Sequence, residues 1–247
     1  MRLDVAVAEK FGFTRSKAAH LIDLGFVSVN GKTAAKCSFD VKESDEILVN
    51  EEYGSSLGGL KLKRAFDTFS LSVSDEVCID IGASNGGFTD VLLQNGAKTV
   101  YAVDVGECAF SDELKSDSRV VVMDRTNARF LEKKIFPVLP SFGVVDVSFI
   151  SLTLILPALC NVLTDDGRIV ALIKPQFECE KKDLSKKGIL LDAKKRMGAV
   201  KKVTEFASGL GLWTEGVCEA PHPFAEKNIE YLAYFKKISG CYRDILA

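Results

Sequence analysis

Asp80, Asp104 and Asp124 each close an apolar run, in "CIDIG", "VYAVDVG" and "VVVMDRTN". Glycines follow the first of these acids at 82, 86 and 87. A strand, a glycine loop and a helix start let backbone come close to a nucleotide-like ligand. Further along, "VVDVSF" places Asp146 after an apolar run, and "ALIKPQFE" places Lys174 after another. A carboxylate and an ammonium at neighbouring strand ends can hold or move a proton in a site. They can equally form a purely structural ion pair.

Three ligands compete for the loop at 80–90. A P-loop ends in Gly-Lys-Ser/Thr, and no lysine occurs between 79 and 97. A dinucleotide fingerprint needs glycine at its first, third and sixth positions. Counted from Gly82 the third position is Ser84 and the sixth is Gly87, so the glycine that admits a pyrophosphate is absent. The sequence thus disfavours NAD. S-adenosylmethionine has no phosphate and presents an ammonium and ribose hydroxyls instead. Asp80 before the loop, Asp104 at the ribose position and Asp124 near the adenine position suit it. Asp also caps helices, which would explain one such acid more readily than three in order.

These residues need a sheet to carry them. Apolar runs at 77–82, 99–105, 120–123, 143–147 and 168–173 predict buried parallel strands. Helical patterns lie between them at 86–95, 111–116, 128–134 and 151–163, and a long amphipathic helix is predicted at about 191–209. Two last strands are expected at 213–218 and 228–236. Repeated β-α-β predicts a doubly wound α/β sheet. Residues 1–50 read as a separate small unit of two short helices and a hairpin centred on Asn30-Gly31. "NEEYGSSLGG", residues 50–59, reads as a linker, which leaves a large domain from residue 60 to 247.

The 247 residues are 47% apolar and 27% charged, with a net charge of −2, so any affinity for nucleic acid must come from local clustering. Arg15, Lys17, Lys32 and Lys36 could form one basic face on the small unit. From Lys174 to Lys202 there are ten Lys or Arg against four acids. Within that stretch "KKDLSKK" carries Lys181, Lys182, Lys186 and Lys187. Such clusters bind phosphates or simply face solvent. Seven cysteines without a C-x-x-C pair read as reduced structural thiols, and His20 and His222 have no ligand-spaced companions, so no metal is expected. The run at 148–163 contains Pro157, is too short for a bilayer and reads as a buried helix. With no signal-like start, a cytoplasmic location is expected.

"DIGASNGGFTD", "VYAVDVG", "VVVMDRTNAR", "VVDVSFISL", "ALIKPQFE" and "NIEYL" together resemble the TlyA family. Its members are FtsJ-like S-adenosylmethionine-dependent RNA methyltransferases often labelled haemolysins. The first fifty residues resemble that family's S-four-type RNA-binding domain. The resemblance implies a Rossmann-like doubly wound methyltransferase sheet, mostly parallel with an antiparallel last strand, beside a small N-terminal α+β RNA-binding domain. It implies ribose 2′-O-methylation of ribosomal RNA, with RNA or ribosomal subunits as partners. It carries a Lys-Asp-Lys-Glu set onto Lys61 (or Lys63), Asp146, Lys174 and Glu230. Its cofactor set falls on Asp80, Gly82, Ala83, Ser84, Gly86, Gly87, Phe88, Asp104, Val105, Asp124, Arg125 and Asp146.

The chain departs from the family pattern at Leu57, at Glu107–Phe110, at Leu191 and at Ala220-Pro221, which His222 follows. Two other readings stay open at this point. One is a protein that binds RNA or S-adenosylmethionine without turnover. The other is a membrane-active haemolysin, which would need an amphipathic or spanning segment.

Overall fold

The computed structural model describes residues 1–23, 25–34, 36–49, 57–221 and 228–238. It divides into two compact units, Met1–Leu57 and Gly58–Ala247.

In the first unit α1, Leu3–Phe11, stops at Gly12, whose φ of 68° suits a residue without Cβ. Thr14 precedes α2, Arg15–Asp23, and its Oγ1 accepts the Lys17 N–H at 3.2 Å. The hairpin forms as its sequence predicts. β1, Val27–Val29, and β2, Lys32–Thr33, pair antiparallel around Asn30 (φ 51°) and Gly31 (φ 75°). A strand the sequence reading lacked, β3 at Ile47–Val49, joins the other edge of β1. Three residues of alternating burial were too short a signal to separate from the acidic stretch before them. Asp4 is buried in α1 and bonded by Arg2 at 3.0 Å and Arg15 at 2.9 Å. The hydrogen-bonded Arg2 guanidinium, with Arg15, holds this carboxyl well below the usual range.

The second unit opens with α3, Leu57–Phe69, where a linker was expected to residue 59 and no helix after it. Residues 50–56 of that linker lie outside the described residues. Leu62, Ala65 and Phe66 give α3 one buried stripe despite its Gly58-Gly59 start. The sheet order is β6-β5-β4-β7-β8-β10-β9. Its strands are β4 (Val77–Ile81), β5 (Thr99–Val103), β6 (Val120–Met123), β7 (Phe142–Val145), β8 (Arg168–Ile173), β9 (Leu212–Glu219) and β10 (Tyr231–Lys237). Pairings from β6 through β8 are parallel, and β10 runs antiparallel between β8 and β9.

Two apolar layers cover this sheet. Ile79, Ile81, Val103 and Val145 face α6 (Leu156–Val162) and α8 (Ala193–Gly209). Cys78, Val100, Val144 and Leu172 face α3 and α4 (Gly87–Gln94). The chain leaves β4 toward β5 and β6, then returns to the other side of β4 for β7. Loops after β4, β5 and β7 therefore meet where the strand order reverses, the usual ligand position in such sheets.

Two predicted helices take other forms. Residues 128–134 make two 3-10 turns, Ala128–Phe130 and Lys133–Ile135. Residues 151–163 make a 3-10 turn, Leu152–Leu154, before α6, with Pro157 in the first turn of α6 where its missing N–H costs nothing. The run at 148–163 is also not buried throughout, since Phe149 is 89% exposed.

Lys237 is buried at the end of β10. Its ammonium donates to the carbonyls of Cys160, Leu163 and Thr164 at 3.1–3.3 Å, closing the C-terminus of α6. A cation there meets the negative end of the helix dipole. Lys237→Met should leave three buried carbonyls short of a donor and lower stability by roughly 2 kcal/mol. The denaturant midpoint should fall with the slope unchanged.

Candidate active site

The loop after β4 folds back on β5. The N–H groups of Gly82 and Ala83 both donate to the Val103 carbonyl, at 2.8 and 3.2 Å. That of Ser84 donates to Asp104 Oδ2 at 2.9 Å, and that of Gly86 to the Ala83 carbonyl at 2.7 Å. Gly82 carries φ +85°, and a Cβ there would lie 2.2 Å from the Asp146 carbonyl oxygen. Only glycine permits that approach. Gly86, at φ +86°, starts α4 with its α-carbon pressed against Leu114 and Phe110.

Two cavities open on this loop. A smaller one, about 190 Å³, is lined by Gly58, Ala83, Asn85, Gly87, Phe88 and Lys174, among others. A larger one, about 480 Å³, is lined by Val103, Asp104, Val105, Asn127 and Phe149, among others. Gly82, Ser84, Asp146 and Ser148 line both.

The three acids that close the first apolar runs differ in what they face. Asp104 lines the larger cavity and accepts from Gly106 N–H at 2.8 Å as well as from Ser84. Asp124 lines neither cavity; it accepts from Cys108 N–H at 2.7 Å, and that bond lowers its pKa. Its neighbour Arg125 pairs with Glu107. Asp80 is fully buried beneath the loop and accepts from Thr89 Oγ1 at 2.6 Å. Desolvation pushes Asp80 up to about 7, against the Thr89 hydrogen bond and with help from Asp146 and Asp104.

This gives a pH signature. The folded protein holds the Asp80 proton more tightly than the unfolded chain does, whose carboxyl titrates near about 4. The resulting stabilisation is complete below that pH and is lost as pH rises through about 7. Melting temperature of the ligand-free protein should fall between about pH 4 and 7, and Asp80→Asn should flatten that fall. An equally steep fall in the variant would remove Asp80 as its source.

Lys174 ends β8 and points into the smaller cavity, with its side chain only 11% exposed. Its Nζ sits 2.6 Å from Asp146 Oδ1 and donates to Ser148 Oγ at 2.9 Å. Lys61 of α3 forms a second ion pair, Nζ to Glu230 Oε2, at 2.6 Å. Gln176, two residues beyond Lys174, donates from Nε2 to Glu230 Oε1 at 3.3 Å. The four residues of the Lys-Asp-Lys-Glu set thus form two short ion pairs, and Gln176 bonds to the second of them. Lys63, the other lysine the motif allows, is half-buried on the same helix.

Sequence reasoning missed Ser148, Phe149, Gln176 and Glu178. Ser148 and Gln176 each stand two residues from a named residue, so the motifs contained them. Phe149 holds φ +64°, an unusual conformation for a bulky residue, and its exposed ring lies 5.1 Å from that of Phe177.

The basic candidates are more neutralised than their sequence suggested. Arg15 is committed to Asp4, and Lys17 sits over the Phe13 ring at 4.3 Å. Lys32 and Lys36 flank one groove of the first unit with Asn30 and Phe39. Lys182 pairs with Glu180, Lys195 with Asp183, Lys201 with Glu205 and Lys202 with Glu178. Lys181, Lys186 and Lys187 are exposed around the Gly188 turn. The side chain of His20 and all of His222 and Cys241 lie outside the described residues. No described helix is long and apolar enough to cross a membrane.

The cradle fits S-adenosylmethionine better than a dinucleotide. Four loop N–H groups that would face a pyrophosphate are already bonded within the protein, and the neighbouring acids repel phosphate. The same acids suit an ammonium, a sulfonium and ribose hydroxyls.

Comparison with known proteins gives the same assignment. Residues 55–237 match the model of the FtsJ-like methyltransferase family, and residues 1–47 match the S4 domain. Hemolysin A of Brachyspira hyodysenteriae is 42% identical over 95% of this chain and 99% of its own. The Mycobacterium tuberculosis protein named 16S/23S rRNA (cytidine-2'-O)-methyltransferase TlyA is 38% identical over 90% of this chain and 84% of its own. A solved chain from Streptococcus thermophilus carrying a hemolysin label is 41% identical, with a TM-score of 0.75 over 99% of this chain and 91% of that one.

Proposed function

The chain belongs to the FtsJ-like methyltransferase family, and from that premise we propose that it methylates a ribose 2′-hydroxyl of ribosomal RNA. The observation that carries this reading is Lys174, nearly buried, its Nζ held between Asp146 and Ser148 beside the glycine loop. Bound S-adenosylmethionine supplies an electrophilic methyl group. Gly82, Ser84, Asp104, Val105 and Asp146 would hold it along the two cavities, with Asp80 supporting the loop from below. Ala83, Gly86, Gly87 and Phe88 shape the glycine turn, and Asp124 and Arg125 brace the adenine end.

A ribose hydroxyl is a weak nucleophile at neutral pH. Lys174 Nζ is the group placed to take its proton or to stabilise the oxygen as charge develops there. Asp146 fixes the direction of that ammonium and offsets its charge, so a second cation can be tolerated nearby. Lys61 and Glu230, with Gln176 bonded to Glu230, complete the polar network of the set. The exposed face of Phe149 offers a stacking surface to an unpaired base at the cavity mouth.

RNA is held by the S4 unit, through Arg15, Lys17, Lys32 and Lys36, and by Lys181, Lys182, Lys186 and Lys187. Exposed ion pairs are worth little, so their lysines remain available to phosphate. A ribosomal substrate places the work in the cytoplasm. The relatives named for RNA cytidine methylation favour a cytidine, in RNA or in an assembled subunit.

The test is transfer of labelled methyl from S-adenosylmethionine to purified ribosomal subunits, followed by nuclease digestion. Label in a 2′-O-methylnucleotide supports the reading. Label on a base would overturn the site of transfer. Binding of S-adenosylhomocysteine with no label in any RNA would make this a binding protein.

A further inference from the structure

Glu178 is buried four residues beyond Lys174, yet it contacts nothing in either cavity. Its Oε1 accepts the Leu152 N–H at 2.7 Å, and its Oε2 accepts the Ser151 hydroxyl at 2.6 Å. Lys202 of α8 donates to Oε2 at 3.2 Å and to the Glu178 carbonyl at 3.0 Å. Ser151 in turn accepts the Thr153 N–H, starting the 3-10 turn that ends the loop. A buried carboxylate is thus bonded from two other parts of the chain.

The arrangement joins two short segments that carry the proposed chemistry. One is the loop from Asp146 to Ser151, with Ser148 and Phe149. The other is α7, Pro175–Glu178, which Lys174 caps and which bears Gln176. A helix of four residues has no stability of its own. At the front these segments touch through Lys174 with Asp146 and Ser148, and through the rings of Phe149 and Phe177. The ring contact is not directional and involves the exposed Phe149 side chain. The Glu178 bonds to Ser151 and Leu152 supply a buried, directional tie behind these contacts.

We propose that Glu178 is a positioning residue for methyl transfer, setting the loop of Asp146, Ser148 and Phe149 against Lys174. The inference rests on the functional reading above. Lys202 braces Glu178 from outside and takes no part in that setting.

The test compares Glu178→Ala, Glu178→Gln, Ser151→Ala and Lys202→Met in the full chain. Readouts are kcat, KM for ribosomal RNA, S-adenosylhomocysteine affinity, melting temperature, and hydrogen exchange over 146–154. Misplacement by about 1 Å can cost 10²-fold in rate. Glu178→Ala should therefore lower kcat by roughly 30- to 100-fold, with cofactor affinity changed several-fold at most. Glu178→Gln keeps an acceptor for Leu152 N–H and should recover part of that loss. Lys202→Met should lower the melting temperature and leave kcat within about twofold of the parent. Ser151→Ala removes the bond to Glu178 Oε2 together with the cap on Thr153 N–H, without unburying a charge. It should lower kcat with only a small fall in melting temperature, so a Glu178→Ala chain that fails to fold does not end the test.

If Ser151→Ala and Glu178→Gln keep parental kcat, Glu178 is a structural brace and the proposal fails. Should the parent itself transfer no methyl group, the functional reading fails separately. The tie is then decided by exchange: faster exchange confined to 146–154 in Ser151→Ala upholds it, and parental exchange overturns it.

Discussion

Lys174→Ala should reduce methyl transfer by about 10³-fold, within the range measured for loss of a positioned acid or base. Among the described residues lining the smaller cavity, no other can replace its ammonium. Ser148 is neutral, Asp146 carries the wrong charge, and Lys61 is engaged with Glu230 at 2.6 Å. Alanine also removes the packed stem of the side chain, so Lys174→Met is the better control for packing and should lose as much. Lys174→Arg keeps the charge, but a planar fork cannot reproduce one nitrogen held between Asp146 Oδ1 and Ser148 Oγ. It should recover little. Affinity for S-adenosylhomocysteine, read by calorimetry, should stay within several-fold of the parent in all three. A variant that keeps a tenth of parental activity would place the chemistry on another residue.

Gly82→Val should abolish cofactor binding outright. The added Cβ would meet the Asp146 carbonyl oxygen at 2.2 Å and its carbon at 2.9 Å. Both are backbone atoms, and Asp146 N–H is itself tied to the Ile81 carbonyl at 2.9 Å. Neither side can yield without separating β4 from β7. The positive φ adds a strain of roughly 1–3 kcal/mol for any side chain. Calorimetry should detect no S-adenosylhomocysteine binding, and the melting temperature should drop by several degrees. Gly12→Ala is the matching control. Gly12 has φ +68° but no atom within 4 Å of a new Cβ, so that variant should show the strain alone and bind cofactor normally.

The parallel strands were legible because each is an apolar run that ends abruptly in a polar residue. Burial on both faces of β4, β5, β7 and β8 leaves no alternation to misread, and the change to Asp80, Asp104, Asp146 or Lys174 marks the sheet edge. β6, expected to be buried as well, is an edge strand with Val121 and Val122 exposed. The Asn30-Gly31 hairpin was legible for a local reason, the positive φ of both residues. Helix α3 was missed because Gly58-Gly59 suggested a linker, although Leu62, Ala65 and Phe66 form a buried stripe. At 128–134 the helical period was present, but Asn127 and Leu131 stand in extended conformations that break the segment into separate turns.

In the site, sequence named the residues and anticipated Lys174 beside Asp146 at neighbouring strand ends. The pairing of Lys61 with Glu230 is a product of the fold, across a separation no local pattern records. The same holds for Glu178, which reads as the unremarked end of "KPQFE" until the fold brings Ser151 to it. The basic stretch misled in the opposite direction, since its few acids sit where they neutralise several of its lysines.

The position of β10 between β8 and β9 has a consequence for the order in which the working protein comes into being. β9 leaves the ribosome first, but in the finished sheet it has no direct pairing with β8 and must wait for β10 to fill the gap. Everything that shapes the glycine cradle lies before Ile173, whereas Glu230 enters just ahead of β10 and meets a lysine 169 residues upstream. Domains fold as they emerge, N-terminal parts first. A growing chain can therefore assemble its seat for the methyl donor while the second ion pair is still unmade. Completion of that pair coincides with the entry of β10 between β8 and β9.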